Sequence, residues 1–125
     1  MTTRVHSVSI PVANQDRALK FYTEVLGCEL RFDAEVFPGA RLIEVVPPGS
    51  SVGLMLLPPD SEIPLAVRPS TTDAAAAYAR LSESGATLHN DEVLRLDGMP
   101  PMFSFADPDG NGLVYLEESP DGADG

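Results

Sequence analysis

The chain repeats itself. One order of patterns, an alternating strand, a capped amphipathic helix and three further strands, runs twice through 125 residues. In the first copy residues 5–12 alternate, with His6, Val8, Ile10 and Val12 on one side and Ser7 and Ser9 on the other. Asn14 offers an N-cap and Asp16 a favourable charge in the first helical turn, and Ala18, Phe21, Tyr22, Val25 and Leu26 form one apolar stripe that Gly27 ends. Strands are predicted over residues 29–37, 40–46 and 52–57, separated by Pro- and Gly-rich turns. The second copy reads as a short strand over 63–67, a possible N-cap at Thr71, and a helical stripe of Ala74, Ala77, Tyr78 and Leu81 closed by Gly85. Strands over 86–96, 102–106 and 112–117 follow, the last two joined by a turn at 107–111. Asn14 and Thr71, Asp16 and Asp73, and Phe21 and Tyr78 are each separated by 57 positions.

A single β-α-β-β-β unit covers one sheet face with one helix and leaves the other bare, so two such units must pair, within a chain or between chains. The fold class is therefore read as α+β, built of two βαβββ modules in one domain. Module one spans about residues 4–59 and module two about 62–118, joined through Pro58, Pro59 and Asp60; the acidic residues 119–125 are expected to fray.

Charge and composition exclude several classes of function. A net charge of −11 repels nucleic acid and anionic membrane surfaces. No apolar run approaches the length of a membrane span and no signal-peptide core follows Met1, so a soluble cytoplasmic protein is expected. Cys28, the one cysteine, excludes an internal disulfide and is read as a small buried hydrophobe. Phosphate-binding glycine loops, paired metal-binding cysteines and serine-nucleophile elbows are all missing from the sequence.

Two stretches carry a family likeness. Asn14-Gln15-Asp16-Arg17-Ala18-Leu19-Lys20-Phe21-Tyr22, continuing to Val25-Leu26-Gly27, and Phe103-Ser104-Phe105-Ala106-Asp107-Pro108-Asp109-Gly110-Asn111 together resemble the vicinal oxygen chelate superfamily, the glyoxalase, bleomycin-resistance and extradiol-dioxygenase group. The resemblance implies two modules whose mixed sheet curls around a central cavity, in a homodimer. It further implies, for metal-dependent members, a divalent cation held by residues from the first and last strands of each module. There the metal acts as a Lewis acid on neighbouring substrate oxygens.

Set against that pattern, His6 alone matches a ligand position. Ile63 stands where the second module's first-strand ligand is expected, Val114 where the last strand commonly carries Glu, and the corresponding stretch of module one offers only Gly53, Leu54 and Met55. One imidazole falls short of the roughly three protein ligands that a catalytic metal site uses. Glu44 and His89 are the other residues weighed as substitutes; His89 sits in a polar run that favours solvent. The expectation is a small-molecule binder with no cofactor. Its ligand would lie in the cavity between modules, lined by Leu54, Met55, Met102, Phe103, Phe105 and Val114, with His6 and Glu44 as polar anchors. The alternative is a lyase, isomerase or dioxygenase that uses Zn, Ni, Mn or Fe on His6 with unconventional partners.

Overall fold

The computed structural model describes residues 3–118. These divide into two compact units, one of residues 7–65 and one of residues 3–6 with 66–118. The elements run β1 (Arg4–Pro11), α1 (Gln15–Lys20), which continues as a π-helical turn over Phe21–Val25, β2 (Glu29–Phe37), β3 (Ala40–Val46) and β4 (Gly53–Leu57). The second series is β5 (Val67–Thr71), α2 (Ala74–Ser84), β6 (Thr87–Leu88), β7 (Met102–Ala106) and β8 (Gly112–Glu117). Each series is one β-α-β-β-β module, as the repeat predicts.

Both modules are wired identically. In the first, strand order is β2-β3-β4-β1, with β1 parallel to β4 and the other pairs antiparallel. In the second, order is β6-β7-β8-β5, with β5 parallel to β8 and the rest antiparallel. The parallel pair in each module is the one that the helix connection makes possible, because antiparallel hairpins alone cannot return a strand in the same direction.

Each helix covers one face. Under α1 lie Ile43, Val45, Leu56 and Cys28, with Ile10, Ala18, Leu19 and Tyr22 packed against them. Cys28 is thus a small core hydrophobe. Under α2 lie Phe103, Phe105 and Tyr115, against which the helix sets Ala77, Tyr78 and Leu81, and Tyr78 meets Phe103 edge-on at 5.1 Å. The side of β3 and β4 that α1 leaves bare carries a second cluster of Ala40, Met55, Leu57 and Ile63.

Three expectations for the second module shift. The strand expected over 63–67 lies at Val67–Thr71 instead, and Ile63 sits buried among Ala40, Met55 and Leu57 of the first module. The residues on either side of Pro64 thus serve as the joint. The helix N-cap is Asp73 rather than Thr71: its carboxylate accepts from the Ala76 N–H at 3.0 Å, while Glu117 Oε1 accepts from the Ala74 N–H at 2.9 Å. Two carboxylates thereby satisfy the first-turn donors, and Thr71 Oγ1 accepts instead from the Asp73 N–H. The strand expected over 86–96 shrinks to Thr87–Leu88 plus an isolated bridge from Leu94 to Met102. In the gap Asn90 takes over: its Oδ1 accepts from the Ser104 N–H and its carbonyl accepts from the Tyr78 hydroxyl, both at 2.7 Å.

Candidate functional site

Strand alternation sorts the residues of the first module onto two faces. β1 and β4 pair in parallel with Ser7 beside Gly53, Val8 beside Leu54, Ser9 beside Met55 and Ile10 beside Leu56. Ile10, Leu54 and Leu56 belong to the core beneath α1. Ser7, Gly53 and Met55 therefore share the face that α1 does not cover, and they are joined there by Glu44, which pairs with Met55 across the β3–β4 ladder. Ser7 is fully buried.

Glu44 is the chemical centre of this face. Only 5 % of it is exposed, and its carboxylate is ion-paired with the Arg31 guanidinium. A buried carboxylate requires such a partner, since an unpaired charge away from water is strongly unfavourable. The partner arrives through a β-bulge. Leu30 pairs with Val45 and Phe32 with Glu44, so Arg31 is the extra residue on β2 and stands with Phe32 opposite Glu44. Room for the pair comes from β4, where a Cβ on Gly53 would run into both the Glu44 carboxylate and the Arg31 guanidinium. Gly53 has no positive φ, so its missing side chain serves space rather than backbone conformation.

The residues singled out in the sequence fall into separate groups. Glu44 and Met55 come together on the face described above. Leu54 points into the core under α1, and Phe103 and Phe105 into the core under α2. Neighbours in a strand cannot share a face, which separates Leu54 from Met55 and both phenylalanines from Met102. Met102 and Val114 instead pack with Ala66 and Leu116 on the side of the second module that α2 leaves bare. His6 is half-buried and alternates with Ser7, so within β1 it shares the side of Val8 and Ile10 rather than the Glu44 side. His89 is exposed. Arg31 and Ser7 were not singled out by sequence reasoning, and Gly53 entered it only as a position unable to ligate a metal. The one signal for them was a basic residue in the strand antiparallel to Glu44, and the bulge that aligns the two leaves no mark in the hydrophobic pattern.

Aligning the modules on their true N-caps, Asn14 and Asp73, sets Ser7 against Ala66 and Ser9 against Arg68. By the β5–β8 register Arg68 stands beside Val114, and its guanidinium donates to the Ala66 carbonyl at 3.2 Å. Burial pulls Arg68 down to about 10. Neither set suits a divalent cation. The first offers a hydroxyl, a glycine, a thioether and a carboxylate already held by arginine; the second offers alanine, valine and a cation. Among the described residues no group of three or more His, Cys, Asp or Glu could hold a metal ion.

Two surface depressions lie elsewhere. One of about 480 Å³ is lined by Leu81, Gly85, Phe105, Asp107 and Pro108, and one of about 390 Å³ by Val12, Asn14, Arg17, Phe21 and Tyr22. Their charged groups are committed or peripheral. Hydrogen bonds from the Asn111 side chain and backbone N–H, with those of its turn, hold the Asp107 carboxyl below its ordinary range. Neither depression contains a buried ionised group to act as an anchor, whereas the Glu44 face does, and that face is the candidate site.

Comparison with known proteins bears on this arrangement. No curated protein matches the sequence significantly. Among solved structures, methylmalonyl-CoA epimerase from Mycobacterium tuberculosis is 22% identical with a TM-score of 0.78, over 97% of this chain and 91% of that one. A glyoxalase/bleomycin resistance protein/dioxygenase superfamily member from Sphaerobacter thermophilus DSM 20745 is 34% identical with a TM-score of 0.43, over 92% and 97% of the two chains. An antibiotic binding protein from Streptomyces sp. CB03234 is 29% identical with a TM-score of 0.42, over 93% and 96%. The epimerase likeness is one of fold. Residues 4–115 match the family model, and the chain belongs to the Glyoxalase/Bleomycin resistance protein/Dioxygenase superfamily.

Proposed function

We propose that this protein binds a small organic molecule on the face of its first module that α1 does not cover, with Glu44 as the polar anchor and without a metal ion. One observation carries the reading: a buried carboxylate, ion-paired with Arg31, lies on the same strand face as the apolar cluster of Met55, Leu57, Ala40 and Ile63. Apolar walls around a few placed polar groups are what small-molecule sites are made of. The described residues of this face offer no ligand set for a divalent cation. Assembly as a homodimer and a cytoplasmic location belong to the same proposal, on family resemblance and composition. None of the helices among the described residues is long and apolar enough to cross a membrane.

A melting-temperature screen of the whole chain against aromatic and heteroaromatic compounds of both charges tests the reading. A ligand present at about 100 times its Kd stabilises by about 2.7 kcal/mol, and that gain is expected to shrink in Glu44→Gln. Hits that stabilise the parent and Glu44→Gln equally, and that perturb amides around Phe105 and Asp107 instead of Gly53 and Met55, contradict it.

A further inference from the structure

We propose that the ligand is an organic cation whose protonated nitrogen replaces the Arg31 guanidinium on Glu44, so that Arg31 is a built-in competitor for the site. The inference rests on the binding reading above and names its ligand class.

The two halves of the ion pair are held very differently. Glu44 lies within β3, a strand paired on both sides, by β2 and by β4, and its side chain is 7 % exposed. Arg31 lies at a bulge in β2, which ends the strand order of its module, and its side chain is 34 % exposed. A long, partly solvated arginine can swing its head group into water while its stem stays on the surface. Glu44 has no such route, because leaving the face would require moving a central strand. Of the two, Arg31 is the partner with a path to solvent.

That asymmetry selects the sign of the ligand. An anion attracted to Arg31 has to draw it away from Glu44 and leave a buried carboxylate uncompensated, which is the most unfavourable arrangement available to the pair. A cation that enters as Arg31 leaves keeps the carboxylate paired throughout. A neutral compound gains only the apolar contacts. The net charge of −11 raises the local concentration of cations and lowers that of anions, in the same direction. Position 53 carries no side chain, and the volume that one would fill holds the two charged groups.

Benzylamine, benzyl alcohol and benzoate share one ring and differ in charge, and they serve as probes. Each is titrated into the full chain by NMR at neutral pH, following the amides of Gly53 and Ser7 and the Arg31 side-chain N–H. Benzylamine is expected to bind most tightly of the three, to shift the Gly53 amide and to move the Arg31 resonance toward its solvated position. Removing the competitor in Arg31→Met is expected to tighten benzylamine by severalfold to about tenfold, as the loss of one partly exposed ion pair allows. Arg31→Lys, which preserves a countercharge if Arg31→Met proves too unstable, is expected to tighten it less. Glu44→Gln is expected to abolish the preference for the amine over the alcohol. Benzoate as the tightest probe, or weaker benzylamine binding in either Arg31 variant, overturns the exchange and makes Arg31 the anchor. Benzylamine and benzyl alcohol binding equally at Gly53 overturns the cation while sparing the broader reading. Perturbation of Gly53 by none of the three overturns the cation proposal, and the broader reading then stands or falls with the compound screen.

Discussion

Gly53→Ala is the smallest change that tests how the Glu44 face is built. The backbone at 53 is compatible with any residue, so alanine introduces no conformational strain and shortens the list of unfolded conformations, an effect worth about 0.4–1 kcal/mol in favour of folding. Against this, the added methyl falls on the Glu44 carboxylate and the Arg31 guanidinium. Arg31 is partly exposed and has a path toward solvent, but Glu44 is almost wholly buried. Overpacking of this kind is unfavourable by about 1–3 kcal/mol, and any loosening of the ion pair adds to it. The net expectation is a loss of about 1–3 kcal/mol. At roughly 2.1 cal/mol/K per residue of unfolding entropy, this lowers the melting temperature by about 4–12 °C. The assay is a thermal or urea melt of the parent, Gly53→Ala, Glu44→Ala and the double variant. Once Glu44 is truncated the methyl has room, so Gly53→Ala is expected to be nearly neutral in that background, and the cycle shows strong coupling. Equal stability of Gly53→Ala and the parent refutes the claim that Gly53 exists to house the pair. So does an equal loss in both backgrounds.

Other outcomes follow from the same structure. Asp33 is held below its ordinary range by hydrogen bonds from the Arg41 guanidinium, at 2.9 Å from each carboxylate oxygen. A depressed carboxyl contributes stability above its unfolded value of about 3.9 and loses it as pH falls toward the folded value, so the melting temperature should drop on acidification below about pH 4 and drop less steeply in Asp33→Asn. Identical acid profiles would contradict that role. Phe103 is fully buried at the centre of the α2 aromatic cluster, and Phe103→Ala should destabilise by about 3–5 kcal/mol in a denaturant melt, whereas Met102→Ala on the other face of β7 should be milder. Asp73→Ala removes the α2 cap and should lower stability by about 1 kcal/mol, with Thr71→Ala having a smaller effect; the reverse order would restore Thr71 as the cap.

The architecture was legible because it is written in two periods. Helical stripes, strand alternation and terminal glycines located α1, α2 and most strands, and their repetition exposed the two modules. Register was harder to read. Thr71 and Asp73 are both capping residues, and preferring the first made the modules appear 57 residues apart when their caps are 59 apart; that shift set Ile63 against His6, although the capped helices align Ser7 with Ala66. Polar side chains hid the break in the strand after α2, where Asn90 replaces ladder bonds by its own. The candidate site was half visible. Glu44 stood out as a charge amid Ile43 and Val45, but Arg31 and Gly53 acquire meaning only once a bulge on β2 and the β1–β4 pairing bring them to it. Local pattern specifies which side chains are buried; it does not specify which distant pairs meet.

The role proposed for the Glu44 face is to hold an organic molecule and not a metal ion. Metal content of protein purified without chelators, followed by melting curves with Zn, Ni, Mn or Fe(II) added to stripped parent and Glu44→Gln, tests it most directly. The expected result is far less than one metal per chain and no shift in melting temperature on addition. Near-stoichiometric metal whose stabilisation, about 2.7 kcal/mol at 100 times its Kd, disappears in Glu44→Gln would contradict it and return the chain to the metal-dependent enzymes of its superfamily.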